Sequence, residues 1–401
     1  MSADHRDVES VLVPTQHDPS RSYPTMRSLA SKGINTVVAS ENAHPPVFAS
    51  RFCDERHRVP AAEDDLAAYR DGLLELAARE DVRTAVPLRE EDAYVFSRYY
   101  DAFDEHLDLV VPPLDALERV HDRMLLAEAA EAAGVPAPET RPLDEVDDWS
   151  GGNIVKSRYN LLTDAYVDSY PGGEAGKEKD VIHLRPGETP DVDELCDGMS
   201  HVPIVQECVP KDDEYMFAGL YDHGEPLATF QHRQIRGDSY VGGGGVYRKS
   251  VSIPELERVA RDLLSELDWH GLACIEYMEH AETGEFVLTE INPRMWQSLP
   301  ATIHAGADFP HYYWLQATGR ADEIDPGYDL GTGSHSPRGE LVYLASLLTD
   351  ESPYVDRPGF LRTVGEMLAS FYRQPHFDYT HIDDPVVFVS GFGRMIRNRL
   401  K

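Results

Sequence analysis

The sequence predicts an α/β protein whose catalytic part is α+β. It has an N-terminal doubly wound parallel sheet, a two-subdomain middle and a mainly helical C-terminal stretch. Three observations predict this. The first third alternates short β-branched runs with helical periods, and the middle holds strands in which charged and apolar residues alternate. From about residue 321, apolar residues recur at helical spacing.

The N-terminal elements run "VESVLVP", "TMRSLASKG", "INTVVAS", "RHRVP", "DDLAAYRDGLLELAARE", "VRTAVPL" and "DLVV". Strand, helix and strand in repetition give a parallel sheet covered on both faces, over residues 1–113. Pro24 suits the first turn of its helix and Gly33 the end. No G-x-G-x-x-G follows the first strand, so a dinucleotide site has no support there. The turn "PTQHDPSRSYP" lies where open α/β sheets bind small ligands, and a plain connecting loop is an equal reading.

A helix over residues 115–133 follows, opened by Asp115 with Glu118 three residues on and closed by Gly134 and Pro136. It begins a domain of residues 114–320, with a smaller subdomain at about 135–215 and a larger one at about 216–320. In the smaller, "GGNIVKSRYN" reads as a strand ending on Lys156, the one lysine between Lys32 and Lys177. It suits a point-charge role; a surface lysine is the alternative. "HVPIVQECVPKDDEYMFAGLYD" reads as the next strand and "EPLATFQHRQIR" as another. "GDSYVGGGGVYRKSV" then breaks regularity. Gly242, Gly243, Gly244 and Gly245 suit a mobile loop that covers phosphates, with a simple hinge as the alternative. The helix "IPELERVARDLLSELDW" leads into a hairpin. The C-terminal extension, 321–401, reads as helices around "RGELVYLASLLTD" and "FLRTVGEMLASFYRQ". It ends in the basic "FGRMIRNRLK", read as a short solvated helix in preference to a membrane contact.

Composition narrows the function. Of 401 residues, 71 are Asp or Glu and 37 Lys or Arg, a net charge of -34 spread along the chain. Such a surface resembles those of archaeal-type, salt-accumulating halophiles, where it holds water and repels itself. It supplies no basic stripe for a nucleic acid. Cys53, Cys196, Cys208 and Cys274 are scattered, without CxxC or His at metal spacing, so zinc is not expected and reduced thiols are. No apolar run reaches about 18 residues and no signal segment opens the chain. A cytoplasmic protein without stable membrane association is the expectation.

The hairpin carries the chemistry. In "VLTEINPR", Glu290, Asn292 and Arg294 fall on one face of a strand. The preceding "GLACIEYMEHAETGEF" reads as its partner, and a five-residue loop from Ala281 to Glu285 pairs His280 with Phe286. That register sets Glu276 opposite Glu290. Like charges directly across a sheet repel, by roughly 0.2 to 1 kcal/mol, so a hard divalent cation between them is the simplest account, with Asn292 adding a neutral oxygen. A solvated acidic edge is the alternative.

In this order, the lysine strand, "VQECV", the acidic hairpin and "EINPR" resemble the ATP-grasp enzymes. The likeness is to the carbamoyl-phosphate-synthase-like, carboxylate-amine ligase branch, over roughly residues 8–320. "SRFCDERHRVP" and "RVHDRMLLAEAAEAAGVPAPET" resemble its first domain and linker helix. The resemblance implies ATP gripped between two subdomains. Lys156 and, in place of the usual linker lysine, Arg123 would meet the phosphates. Glu207 with the backbone of Cys208 and Val209 would read the adenine edge, and Glu214 would hold the ribose. Glu276, Glu290 and Asn292 would bind Mg²⁺, with Mn²⁺ as an alternative, and Arg294 would meet the transferred phosphoryl group. Ser157 and Arg158 replace a proline common after the strand lysine.

The implied reaction activates a carboxylate as an acyl phosphate and passes it to an amine, giving an amide, ADP and phosphate. In it Lys156 and Arg294 would act in catalysis, and the glycine loop would exclude water. Arg158, Arg233 and Arg236 are candidates to meet the anionic substrate. The expected partners are a small carboxylate and an amine, with a homodimer left open. A carboxylase working through carboxyphosphate and a non-catalytic ATP-binding regulator are the alternatives. The absence of a Met-Lys-Met biotin-carrier site weighs against the first, and the complete acid and arginine set against the second.

Overall fold

Val11 and Val13 point to one face of the first strand and Leu12 to the other, and all three are fully buried, as a strand covered on both sides requires. In the computed structural model, which describes residues 9–178, 180–351 and 355–390, this is β1, Ser10–Thr15. It joins β2 (Asn35–Ser40), β3 (Glu55–Arg58) and β4 (Val82–Ala85) in a parallel sheet of order β3-β2-β1-β4. The predicted strand "DLVV" does not join. Leu109, Val110 and Val111 are buried, but the segment hydrogen-bonds to the edge strand through Asp108, whose N–H donates to Arg83 O (3.0 Å) and whose carbonyl accepts from Thr84 Oγ1 (2.6 Å), without forming a ladder. The basic end, residues 392–401, lies outside the described residues.

The linker is two helices, Leu114–His121 and Arg123–Ala133. Asp122 separates them with an extended backbone, and its carboxylate accepts from Met124 N (2.9 Å), capping the second helix. The apolar period runs through this break, which is why a single helix is predicted from sequence. Gly134, at φ 66°, ends the second helix where expected.

A second, antiparallel sheet follows, made from β5 (Thr140–Pro142) and β6 (Asn153–Lys156) with two later strands. The intervening connection holds a small pair, β7 (Leu162–Thr163) and β8 (Ala175–Gly176). With β9 (Val181–Leu184) and β10 (Ile204–Glu207) the order is β5-β10-β6-β9.

The third sheet is antiparallel and larger. It contains β11 (Lys211–Asp222), β12 (Glu225–Ser239), β13 (Gly242–Val251), β14 (Gly271–His280), β15 (Phe286–Asn292) and β16 (Gly333–His335), in the order β15-β14-β11-β12-β13-β16. Two expectations are corrected here. The stretch read as one strand from His201 to Asp222 is two, β10 and β11, in different sheets. Pro210 has no N–H to continue a ladder, and Cys208 N donates across to Gly152 O (2.9 Å). The four glycines are not an irregular loop, because they open β13 in a hairpin with β12 that turns at Tyr240 and Val241. A Cβ on Gly237 would lie 2.9 Å from Gly242 O, and Gly243 has φ +102°. Glycine lets these strands curl together at the tip.

The C-terminal helices Pro337–Thr349 and Phe360–Arg373 fall where the sequence places them. The region is nevertheless not a purely helical extension, since it also gives the large sheet its edge strand β16, paired with β13. Arg236 on β12 forks onto Glu340 (both contacts 2.9 Å), and Arg248 on β13 donates to Asp378 (2.8 Å). These pairs tie the glycine hairpin to the C-terminal region.

Candidate active site

Alternate residues of β11 and β14 face opposite sides of the large sheet. Phe217, Tyr221, Ala273, Ile275 and Tyr277 pack under the helix Pro254–Glu266. Met216, Leu272 and Cys274 face the other way, toward the parallel sheet, and Glu276 continues that second face into an open cleft. Glu276 pairs with Glu290 as the sequence predicts, by a different route. The hairpin pairs Glu279 with Phe286, one residue off the predicted His280–Phe286 register, and Thr289 then bulges out of β15 and restores the Glu276–Glu290 alignment.

Glu276 reaches water in the cleft while protein walls surround it. Those walls, and then the facing Glu290, push its pKa above the ordinary carboxylate value, with Arg294 opposing. Asn292 is buried between its neighbours: its amide donates to Glu290 Oε1 (2.8 Å) and its oxygen accepts from Arg294 (2.5 Å). Arg294 also donates to Glu90 Oε1 (2.5 Å). Glu90 begins the helix Glu90–Arg98 and is buried; Arg294, followed by His121 3.4 Å away, holds its pKa low against the effect of burial.

Lys156 ends β6 and faces the acids across the cleft. Burial first, and then Arg123, depress its ammonium to about 8, while Glu290 and Glu276 oppose the shift. Arg123 stands between, with Nη1 donating to Ser157 O (2.8 Å) and Nη2 3.8 Å from Glu290. Two connected cavities share this centre. One, of 420 Å³, spreads over the large sheet past Glu214, Gln234 and Gly243 to Gly245. The other, of 870 Å³, lies toward the parallel sheet, where Glu63, Lys177 and Asn160 border it.

The remaining sequence candidates divide. Glu214 lines the cleft and accepts from Gln234 (2.5 Å). Glu207, Cys208 and Val209 form the crossing between β10 and β11, outside the lining of both cavities, and the Cys208 N–H is already donated to Gly152. Gly242 stands just beyond the glycines that line the cleft. Arg158, Arg233 and Arg236, the candidates for the anionic substrate, do not line these two cavities, and each faces a different partner. Arg158 forks onto Asp122 (2.6 to 3.0 Å) and covers the Tyr159 ring; Arg233 is half exposed on Asp213 (2.6 Å); Arg236 binds Glu340 and stacks on Tyr247. Far from the cleft, Asp222, His223 and His270 come within 4.8 Å of one another, a grouping that their sequence separation hides.

No family model matches this chain. Among solved structures, the N5-carboxyaminoimidazole ribonucleotide synthetase purK, determined as its ADP complex, superposes with a TM-score of 0.60 at 16% identity, covering 92% of this chain and 98% of that one. The L-amino acid ligase from Bacillus licheniformis superposes with a TM-score of 0.56 at 14% identity, over 79% of this chain and 77% of that one. The fold is that of the ATP-grasp enzymes. Acetyl-CoA carboxylase 2 of Oryza sativa subsp. japonica is 24% identical over 222 residues, which is 48% of this chain and 9% of that protein. The chain therefore spans a small part of that curated relative's length.

Sequence reasoning missed Glu90, His121, Lys177 and Arg21, all from outside the hairpin. Only the run "LREED" hinted at Glu90, since a buried acidic first turn looks like any solvated helix start. Among the described residues no helix is long and apolar enough to cross a membrane.

Proposed function

We propose that the chain is an ATP-dependent ligase that activates a carboxylate as an acyl phosphate and transfers it to an amine. One observation carries this reading: Glu276 and Glu290 are held face to face in a cleft that also gathers Lys156, Arg123 and Arg294. Two opposed carboxylates with an amide oxygen beside them fit a hard divalent cation, Mg²⁺ or Mn²⁺. When bound, the ion neutralises charge on the terminal phosphates of ATP. In this reading Lys156 and Arg123, which line the cleft, hold those phosphates, and Glu214 holds the ribose. Glu207, Cys208 and Val209, at the crossing between the sheets, remain the proposed adenine edge, which requires the Cys208–Gly152 bond to open or the carbonyls to serve.

A substrate carboxylate oxygen attacks the γ-phosphorus. The new O–P bond forms as the bond to ADP breaks, and the amine then displaces phosphate from the acyl carbon. Arg294 presents a fixed fork of donors to the charge that develops between these groups. The hairpin of Gly243 to Gly245 shields the acyl phosphate from water.

A carboxyphosphate route from bicarbonate is the second reading, favoured by the near-complete overlap with purK. The test screens amino acid pairs, bicarbonate and hydroxylamine for ADP release in molar KCl. Amine-dependent ADP release with amide or hydroxamate supports the ligase. ADP release that requires bicarbonate alone supports the second reading. Nucleotide binding without any turnover contradicts both and points to the regulator.

A further inference from the structure

The cations that line the two cavities are not equally satisfied. Arg294 has Glu90, Lys177 has Glu91 (2.8 Å), Arg248 has Asp378 and Arg123 has Glu290. Among the described residues, Lys156 and Arg21 have no carboxylate within 4.0 Å. In a chain with almost twice as many acids as bases, a half-buried cation that lines a cavity without an ion pair stands out. Lys156 lies with the acid pair. Arg21 lies elsewhere, in the turn after β1, and it borders both cavities together with Arg294.

The position of Arg21 is set by the parallel sheet. It immediately precedes the helix Ser22–Ser31, whose first residue is fixed by the bond between Thr15 Oγ1 and Ser22 Oγ (2.7 Å) at the carboxyl end of β1. That is where open α/β sheets receive ligands. The Nε of Arg21 is buried without a hydrogen-bond partner, and burial, followed by the neighbouring Arg294, lowers its pKa to about 10. Asp18 and Glu90 attract this guanidinium from a distance, but no carboxylate lies within 4.0 Å of it, so a half-buried guanidinium beside a second one has room for a directly bound anion.

Building on the ligase reading, we propose that Arg21 seats the carboxylate of the acyl substrate, with Arg294 on its other side. Arg294 is already ion-paired with Glu90, so the guanidinium left free to pair directly with a second anion near the γ-phosphate is Arg21. The carboxylate enters between the parallel sheet and the large sheet, opposite Lys156. One of its oxygens forms the bond to phosphorus while the other stays on the Arg21 fork. The substrate site is therefore shared between the two sheets.

The test uses the full chain in sulfate-free buffer, with inorganic phosphate and acetate as probes, each titrated with and without MgADP. Wild-type protein is expected to bind phosphate and to release it to acetate. Arg21→Gln should weaken phosphate binding by about tenfold or more, and Arg21→Lys by less, because lysine keeps charge without the fork. Arg258→Gln, on the exposed side of the helix Pro254–Glu266, should change nothing, and MgADP affinity should be equal in all four proteins. Phosphate binding unchanged in Arg21→Gln overturns the proposal, as does the absence of phosphate binding to the wild type. Phosphate that acetate cannot displace overturns the carboxylate assignment. Should Arg21→Gln fail to fold, phenylglyoxal mapping of the wild type decides: phosphate must protect the Arg21 peptide, and equal modification with and without phosphate is contrary. Loss of MgADP binding by the wild type would instead strike the ligase reading, and the nucleotide-free titrations still judge Arg21.

Discussion

Glu276 and Glu290 stand directly opposite each other on adjacent antiparallel strands because Thr289 bulges out of the ladder between them. Their repulsion is a property of the metal-free chain and predicts a separation of stability from activity. Glu290→Gln should abolish turnover and remove the Mg²⁺-dependent rise in melting temperature. In chelator it should melt no lower than wild type, since relief of a cross-strand like-charge pair is worth roughly 0.2 to 1 kcal/mol. Melting curves with Mg²⁺ and with EDTA, beside an ADP-release assay, check both parts; full activity contradicts the metal assignment.

Much of this centre was legible because strand periodicity fixes which side chains share a face. Glu290 and Asn292 lie on one strand, and their partner Glu276 is local in sequence. The bulge left no trace in the pattern, yet the predicted pairing of the acids survived because the error at His280 and the extra residue at Thr289 cancel. Arg21 and Glu90 were illegible for the opposite reason. Their positions depend on how the parallel sheet packs against the large one, and no periodicity within a segment reports that. Arg158, Arg233 and Arg236 each meet a carboxylate away from the two cavities, because positive charge in an acidic chain finds a carboxylate wherever the fold offers one.

Lys156 gives a pH dependence. Its pKa is lowered to about 8 in the fold, so ATP affinity should fall as pH rises through about 8, by up to about tenfold per unit. The stability trend has the opposite sign. A buried ammonium is disfavoured, so the nucleotide-free chain gains stability from this group as pH rises above about 8 and loses it as pH falls through that value. Lys156→Ala should bind ATP weakly at every pH and flatten both trends. Titration calorimetry and melting curves between pH 7 and about 10 decide, because an unaltered ATP affinity in Lys156→Ala would return the residue to a surface role.

Asp122 and Arg158 form the joint between the linker helices. Asp122→Ala removes a helix cap, worth about 0.5 to 2 kcal/mol, and leaves the partly exposed Arg158 without its fork. Chemical denaturation should show a loss in that range. Arg158→Ala should keep the KM for each substrate within about threefold of wild type, since its guanidinium does not line the cleft. A tenfold rise in the KM of the carboxylate would restore it as a substrate arginine.

Arg294 is tied to stability through Glu90. Arg294→Ala strands a buried carboxylate and should destabilise the chain by about 3 to 5 kcal/mol. Adding Glu90→Gln should recover most of that loss while turnover stays down by roughly 10²-fold, the scale of a lost oxyanion donor. Turnover that recovers together with stability would assign Arg294 a purely structural part.

The acyl phosphate itself leaves an isotopic record. The carboxylates of an amino acid mixture can be exchanged with ¹⁸O by acid, so the substrate need not be known in advance. Incubated with ATP, Mg²⁺ and this mixture, the chain should release phosphate that carries one ¹⁸O atom taken from the carboxylate. Amide formation accompanied by unlabelled phosphate would contradict carboxylate activation by phosphoryl transfer.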